Sequence, residues 1–404
     1  MSERVTSPRP MRPAALEIHG SFRGATGYDR HVRAFVRALH RQGVAIQLVD
    51  LLQWSPLKLP PAQRDPWFET LDRPVPARTT LHFVMPHQVV PAADRLNVNY
   101  TMFEADRIPP LWAQLAGQHD LVIVPTESSR QAWLRSGVSE RRLRLCPLGV
   151  DSEAFSGDAE ALPLRLESGE AINAFHVRFL NVASAIPRKN LPGLLRAWLR
   201  ATARSDDAVL VLKLSPDGPD SPTNFRKQLD SLQHDVGKTL REAAPVHIMT
   251  DLLSDADMPR LYAAATHYIS LSHGEGWDQP MVEAGAMGLR LIAPDHSAYV
   301  SYLDPSVATL IPSAPVAVAW PRNDPTALLF DGALWWEPNE DAAVDAIRAA
   351  IHGTDLTAAS AAGRIRRDLT WDRAAERLMA LLGELEASRA RRWFRPRRRA
   401  YTPD

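Results

Sequence analysis

Apolar positions along the chain follow two rhythms that alternate. Short apolar runs come first. The segment 16–19 (LEIH) is one, and it leads into a glycine-rich stretch, GSFRGATG. Beyond that turn, Val32, Phe35, Val36 and Leu39 stand at i, i+3, i+4 and i+7, the spacing that turns one helix face toward a core. Gly43 ends this helix and VAIQLV (44–49) reads as the next strand. A strand, turn, helix and strand in this order open a doubly wound sheet. Residues 53–80 are Pro-rich and read as loop. Further strands are predicted at 81–85, 97–103, 120–125 and 142–148, with a helix over 128–136.

The second half repeats the plan. Strands are predicted at 179–183, 208–214, 246–249, 267–272 and 289–294. Helices fall between them, over 191–203 and 256–265. Asn190 suits the N-cap of the first of these and Pro192 its first turn. The polar stretch 151–175 separates the halves. No short-period repeat is present. A last helix, 371–388, follows the second half, with Ala375, Leu378, Leu382 and Leu385 on one side. The organisation expected is a disordered N-terminus (1–14), one doubly wound domain (15–165), a second (166–370), a final helix (371–388) and a basic tail (389–404).

Composition narrows the classes. A chain of 404 residues suits two cores better than one. The formal net charge is zero, so no global field points to nucleic acid. The single cysteine, Cys146, excludes an internal disulfide framework and a thiolate metal cluster. The first residues lack an apolar h-region and no apolar run approaches a membrane span, so a cytoplasmic setting is expected. The tail differs. SRARRWFRPRRRAYTPD carries seven arginines with Trp393, Phe394 and Tyr401. It reads as a solvated, disordered end or as a patch for anionic lipid or an acidic partner, with nucleic acid a third reading.

The chemistry gathers at SHGEGWDQPMVEAGAMG, 272–288. In a parallel sheet, ligands sit beyond the carboxyl ends of strands, and Ser272 ends a predicted strand. Gly274 and Gly276 permit close backbone approach. Pro280 fits the first helical position. The free N–H groups of residues 277–282 and the positive helix end would then suit phosphates. Glu283 lies one turn inside. A carboxylate repels phosphate but accepts two hydrogen bonds from a vicinal diol such as a ribose, and Glu275 could do the same for a sugar. Taken alone, two glutamates near a helix start are equally read as surface residues stabilised by the dipole. They are not alone: PRKN (187–190) places Arg188 and Lys189 after a strand, and GSFRGATG offers glycine backbone and a helix N-terminus from the first half.

With these segments together, the chain resembles a GT-B-fold glycosyltransferase of the family 4 type, whose members are retaining and use nucleotide sugars. The resemblance rests on PTESSRQAWLRSGVSERRLRLCPLGVDSEAF, SAIPRKNLPGLLRAW, LLSDADMPRLYAAATHYISLSHGEGWDQPMVEAGAMGLRLIAP and TWDRAAERLMALL. YTMFEADRIPPLW resembles the branch that builds cell-surface polysaccharides. The resemblance implies an α/β fold of two Rossmann-like domains facing a cleft, with the last helix crossing back to the first domain. It implies Lys189 on the donor diphosphate with Arg188 beside it. Glu275 falls on the transferred sugar, close to Gly276 and the backbone N–H groups of Trp277, Asp278 and Gln279. Glu283 falls on the ribose. Gly24 and Gly27 would let the first-half loop close, and residues 247–250, ending in Thr250, would border the base. Three positions depart from the family. The arginine about six residues before the lysine is missing near Ala183 and Ser184, a first-domain histidine is replaced by Glu104, and EGFGLP reads EGWDQP. Glu104 could orient sugar or acceptor, or form a loop ion pair with Arg107. Asp278 places a carboxylate near the sugar.

The function expected is transfer of a hexose from a nucleotide diphosphate sugar to a glycan, lipid-linked or other acceptor, with retention and without a metal or other cofactor. The rival is a non-catalytic GT-B-like scaffold subunit of a polysaccharide assembly complex. A dinucleotide-dependent oxidoreductase fails for want of a G-x-G-x-x-G with a downstream acid.

Overall fold

The computed structural model describes residues 13–51, 55, 57–215, 222–353 and 359–393. The basic tail from residue 394 and most of the N-terminal stretch 1–14 lie outside the described residues.

The first half holds β1 (Ala15–Gly20), α1 (Gly27–Arg41), β2 (Ala45–Val49), β3 (Thr79–Phe83), β4 (Leu96–Tyr100), α2 (Pro110–Leu115), β5 (Leu121–Val124), α3 (Glu127–Arg135) and β6 (Leu143–Leu145). Its strands form one parallel sheet in the order β2-β1-β3-β4-β5-β6. Helix α1 starts where the sequence can cap it: Thr26 accepts from Asp29 N, and Asp29 returns the bond to Thr26, a reciprocal box. Val32, Phe35, Val36 and Leu39 are all fully buried. Strands β3 and β4 are buried along their whole length, as strands covered on both faces must be. The predicted strand 97–103 leaves the ladder at Tyr100, because the next residues turn toward the other half. The Pro-rich stretch carries short 3-10 turns at Pro61–Gln63 and Pro66–Asp72.

The second half holds β7 (Val177–Ala183), α4 (Leu191–Ala201), β8 (Ala208–Leu214), α5 (Pro222–Val236), β9 (Val246–Met249), α6 (Asp257–Ala263), β10 (His267–Ile269), α7 (Gln279–Ala286), β11 (Arg290–Pro294) and β12 (Thr309–Ile311). This sheet is also parallel, in the order β12-β11-β10-β7-β8-β9. Three further helices follow, α8 (Glu340–Ile351), α9 (Ala362–Asp368) and α10 (Trp371–Trp393).

Two elements of the second half reach into the first. The last helix is one. Ala375, Leu378 and Leu382 of α10 are fully buried, in the same apolar cluster as Phe35 and Tyr100. The Trp371 ring meets Phe35 edge-on at 5.2 Å, and Arg41 pairs with Asp372 at 2.6 Å. This helix runs five residues past the expected end at Ser388. The other element is a hairpin that the periodicity does not reveal, β13 (Ser313–Ala317) paired antiparallel with β14 (Leu334–Pro338). Leu334 N donates to Asp106 Oδ1 at 2.7 Å and Asp106 N to Leu334 O at 3.1 Å. Phe330 stacks on Phe103 at 5.0 Å. Phe330, Ala333 and Trp335 thus complete an apolar cluster with Trp112 and Trp133 of the first half.

Candidate active site

The turn after β7 carries the two cations. Pro187–Lys189 is a single 3-10 turn, and Asn190 follows it in the left-handed region at φ 48°. Asn190 caps α4 by accepting from Gly193 N at 3.1 Å, while its Nδ2 donates to Leu271 O at 3.0 Å. This one side chain ties the cationic turn to the end of the β10 segment. His273 N donates to Arg188 O at 2.8 Å, closing the same junction.

Across it lies Glu275, 4% exposed. Lys189 Nζ is 2.6 Å from Glu275 Oε1 and Arg188 Nη1 is 2.8 Å from Oε2. Ser272 Oγ donates to Oε1 at 2.7 Å, and Glu275 N donates to Ser297 Oγ at 3.1 Å. Burial opposes ionisation of this carboxyl, but Arg188 and Lys189 outweigh it and hold its pKa below the usual range. Arg188 also donates to Gly274 O at 2.6 Å and stands 3.7 Å from Glu104. Glu104 therefore faces the site, not Arg107, which pairs with its neighbour Asp106. Burial raises the Glu104 carboxyl, against the pull of Arg188.

The glycines of the loop do what their size allows. A Cβ on Gly274 would stand 2.1 Å from Glu104 O, and one on Gly276 2.7 Å from the Met102 side chain. The loop is thus pressed against the first half. Thr126 Oγ1 donates to Gly276 O at 3.4 Å. Asp278 is in the left-handed region at φ 57° just before α7, and Pro280 takes the second helical position, not the first. Gln279 Nε2 donates to Gly149 O in the first half at 3.0 Å. The Trp277 ring is core, 2% exposed and packed on Tyr302, so only its backbone faces ligand chemistry.

Glu283 is 2% exposed and is held across the cleft. Arg30 of α1 reaches it at 3.1 Å, and Tyr262 OH donates to Oε2 at 2.9 Å. Burial raises this carboxyl, with Arg30 opposing. A cavity of about 450 Å³ opens here, bordered by Arg30, Asp255, Gln279 and Glu283, and by the two crossings between the halves at 150–155 and 370–372. Thr250 stands exposed after β9. Gly24 does not face Lys189 as free backbone. Its N–H donates to Asp29 Oδ1 at 2.8 Å, and a Cβ there would meet Ser55 Oγ at 2.0 Å. Gly27, by contrast, is open at the start of α1. Among the described residues, no three His, Cys, Asp or Glu side chains converge as metal ligands, and no helix is long and apolar enough to cross a membrane.

The site thus brings Arg188, Lys189 and Glu104, half-buried, together with the buried Glu275 and Asp278 in one cluster, with Glu283 a helical turn away. Sequence reasoning missed Arg30, Tyr262 and Ser297, and also Tyr299, whose OH donates to Asp278 Oδ2 at 2.8 Å. Arg30 belongs to the polar face of α1, a pattern that reads as solvent-facing.

No family model matches the chain. Over 176 residues it is 28% identical to an MMP alpha-(1->4)-mannosyltransferase of Mycolicibacterium hassiacum, a match that spans 43% of this chain and 36% of that protein. Among solved structures it is similar to HepE of Anabaena in complex with UDP and glucose, at 14% identity and a TM-score of 0.61, covering 92% of this chain and 100% of that one. It is similar to the sucrose-phosphate synthase of Thermosynechococcus elongatus, at 15% identity and a TM-score of 0.60, covering 93% and 99%. The two parallel sheets, the cleft between them and the returning last helix make the fold GT-B.

Proposed function

We propose that the chain is a glycosyltransferase that moves a hexose from a nucleoside diphosphate sugar to an acceptor hydroxyl. One observation carries this reading. Two cations at the carboxyl end of β7 converge on Glu275 and on the N-terminus of α7, with Glu283 one turn farther along the same helix. That order matches a ligand running from sugar through diphosphate to ribose. The names of the similar proteins support it, one with UDP and glucose bound and one a mannosyltransferase.

In this reading the diphosphate draws Lys189 from Glu275 and rests at the N-terminus of α7, where the dipole and the N–H groups of residues 277–279 favour anions; Pro280 has no N–H, and Met281 N and Val282 N already donate to Asp278 O. Glu275 then accepts from hydroxyls of the transferred sugar. Glu283 exchanges Arg30 for the ribose diol. The bond from C1 to the diphosphate oxygen breaks as the acceptor oxygen attacks C1. The acceptor proton passes to the departing phosphate oxygen on the same face, so configuration is retained. Lysine, arginine and the helix end neutralise the leaving group, a role that needs no metal. The acceptor is a glycan or a lipid-linked sugar, and the basic tail would meet an anionic cytoplasmic leaflet in the second case.

A non-catalytic scaffold is the rival, and one observation favours it. Both cations are engaged by carboxylates, and the family's further arginine is absent near Ser184. Donor hydrolysis without acceptor separates the two. Slow release of UDP from UDP-glucose, or of GDP from GDP-mannose, abolished by Lys189→Ala, supports the transferase. Nucleotide-sugar binding without turnover, with or without glycan acceptors, supports the scaffold.

A further inference from the structure

Asp278 stands where a glycine would fit at lower cost. Its φ of 57° and ψ of 70° lie in the left-handed region, which disfavours a residue with a Cβ. Its carboxylate is also buried, 6% exposed, and desolvating that charge adds to the cost. The helix does not require it, since the side chain makes no capping bond to α7.

The side chain is aimed instead. Tyr299 OH donates to Oδ2 at 2.8 Å, and the same hydroxyl lies 2.7 Å from Ser270 Oγ. These contacts fix the carboxylate plane. Oδ1 is buried without a hydrogen-bond partner. It faces Lys189 Nζ at 3.7 Å, the ammonium that also holds Glu275. A fixed oxygen that lacks a donor therefore stands beside the carboxylate assigned to the sugar.

We propose that Asp278 sets donor specificity: its free oxygen accepts a hydrogen bond from a hydroxyl of a neutral hexose and turns away donors whose sugar bears a carboxylate. The inference rests on reading Lys189 and Glu275 as the donor site. The charges explain the exclusion. Arg188 and Lys189 face three carboxylates, Glu275, Asp278 and Glu104. A bound diphosphate claims Lys189 and draws on Arg188, the two cations that face these carboxylates. A sugar carboxylate would then meet Asp278 with no cation to spare, in a site where water does not screen the repulsion. A hydroxyl supplies the donor that Oδ1 lacks.

The test compares UDP-glucose with UDP-glucuronate, by titration calorimetry and by donor hydrolysis, in the wild type, Asp278→Asn and Asp278→Gly. Asparagine keeps the shape and removes the charge; glycine also relieves the backbone. Wild type is expected to prefer the neutral donor, and both variants to lower that preference by about tenfold or more, chiefly by gaining affinity for the uronate. An unchanged ratio in both variants, with affinities falling together, overturns the proposal and leaves Asp278 a structural residue. Failure of the donor-site reading looks different: the full-length wild type binds neither UDP nor GDP, free or as UDP-glucose, UDP-glucuronate or GDP-mannose, and the inference falls with it.

Discussion

Glu275 and Glu283 stand eight residues apart, and both are buried, yet they are held in opposite ways. Glu275 takes its cations from its own half, Arg188 and Lys189 on the turn after β7. Glu283 takes Arg30 from the other half. At one end of the candidate site the ion pairs to the central carboxylate lie within a single domain, with Glu104 of the other half at the edge, 3.7 Å from Arg188. The other end exists only when the halves are together. A ligand spanning both must replace an ion pair inside one domain and another across the cleft, and only the second exchange changes how the halves are held.

The largest effect is expected at the intradomain end. Lys189→Ala should lower transfer by about 100-fold, since a charge-assisted contact to phosphate is worth about 1.5–3 kcal/mol. Far-UV circular dichroism and melting temperature should stay near wild type. Transfer at the wild-type rate would remove Lys189 from the chemistry.

The two glutamates should then separate. Glu283→Gln should weaken binding of UDP by about tenfold, because the ribose contact is made with or without the sugar. Glu275→Gln should leave UDP affinity nearly unchanged and lower turnover. Equal losses of UDP affinity, read by calorimetry, would erase the division of labour.

Much of this was legible in the sequence, and the missing parts share a cause. The strands emerged because their apolar runs are short and bounded, as in AVLVLKL, which β8 matches residue for residue. The cluster of Lys189 with Glu275 emerged because both lie at carboxyl ends of strands. Arg30 did not emerge, since a helix periodicity separates core from non-core but cannot say what the other face meets. The β13–β14 hairpin did not emerge either. SAPVA and LWWEP lack clean alternation, each holds a proline, and the segment joining them is too long for a tight-turn signal. Asp278 was visible as a departure, while its left-handed backbone and its bond from Tyr299 needed coordinates.

Buried histidines report on each end through pH. His31, next to Arg30 on α1, has its pKa lowered from 6.5 to about 3, by burial first and then by the charge of Arg30. His296, near Glu275, is lowered to about 3 by burial. A base with a depressed folded pKa is neutral in the native state, while the unfolded chain takes up a proton below 6.5. Its contribution is thus fully present above 6.5 and is lost as pH falls toward 3. Between pH 7.5 and pH 5.5 each should cost on the order of 1 kcal/mol of stability. His31→Gln and His296→Gln should each flatten the decline measured by urea unfolding. A slope unchanged in both would show that these rings do not carry the acid sensitivity.

The smallest expected effect is the most direct test of the cleft contact. Arg30→Gln removes the guanidinium that must leave Glu283 before a ribose can enter. If that pair only holds the cleft together, the variant leaves Glu283 free for the ribose, and UDP should bind about threefold tighter, since part of the cost of exchange is gone. The gain is modest because Tyr262 still holds one oxygen of Glu283, and Asp255 and Arg33 remain at the same edge. Salt offers a second reading of the same contact. Glu283 is buried and the Arg30 side chain is 24% exposed, so salt screens this pair little, and the difference between wild type and Arg30→Gln should largely persist at 0.5 M salt. Weaker UDP binding in the variant, at low and high salt alike, would mean that Arg30 touches the nucleotide itself, and the cleft pair would then be part of the donor site instead of its lock.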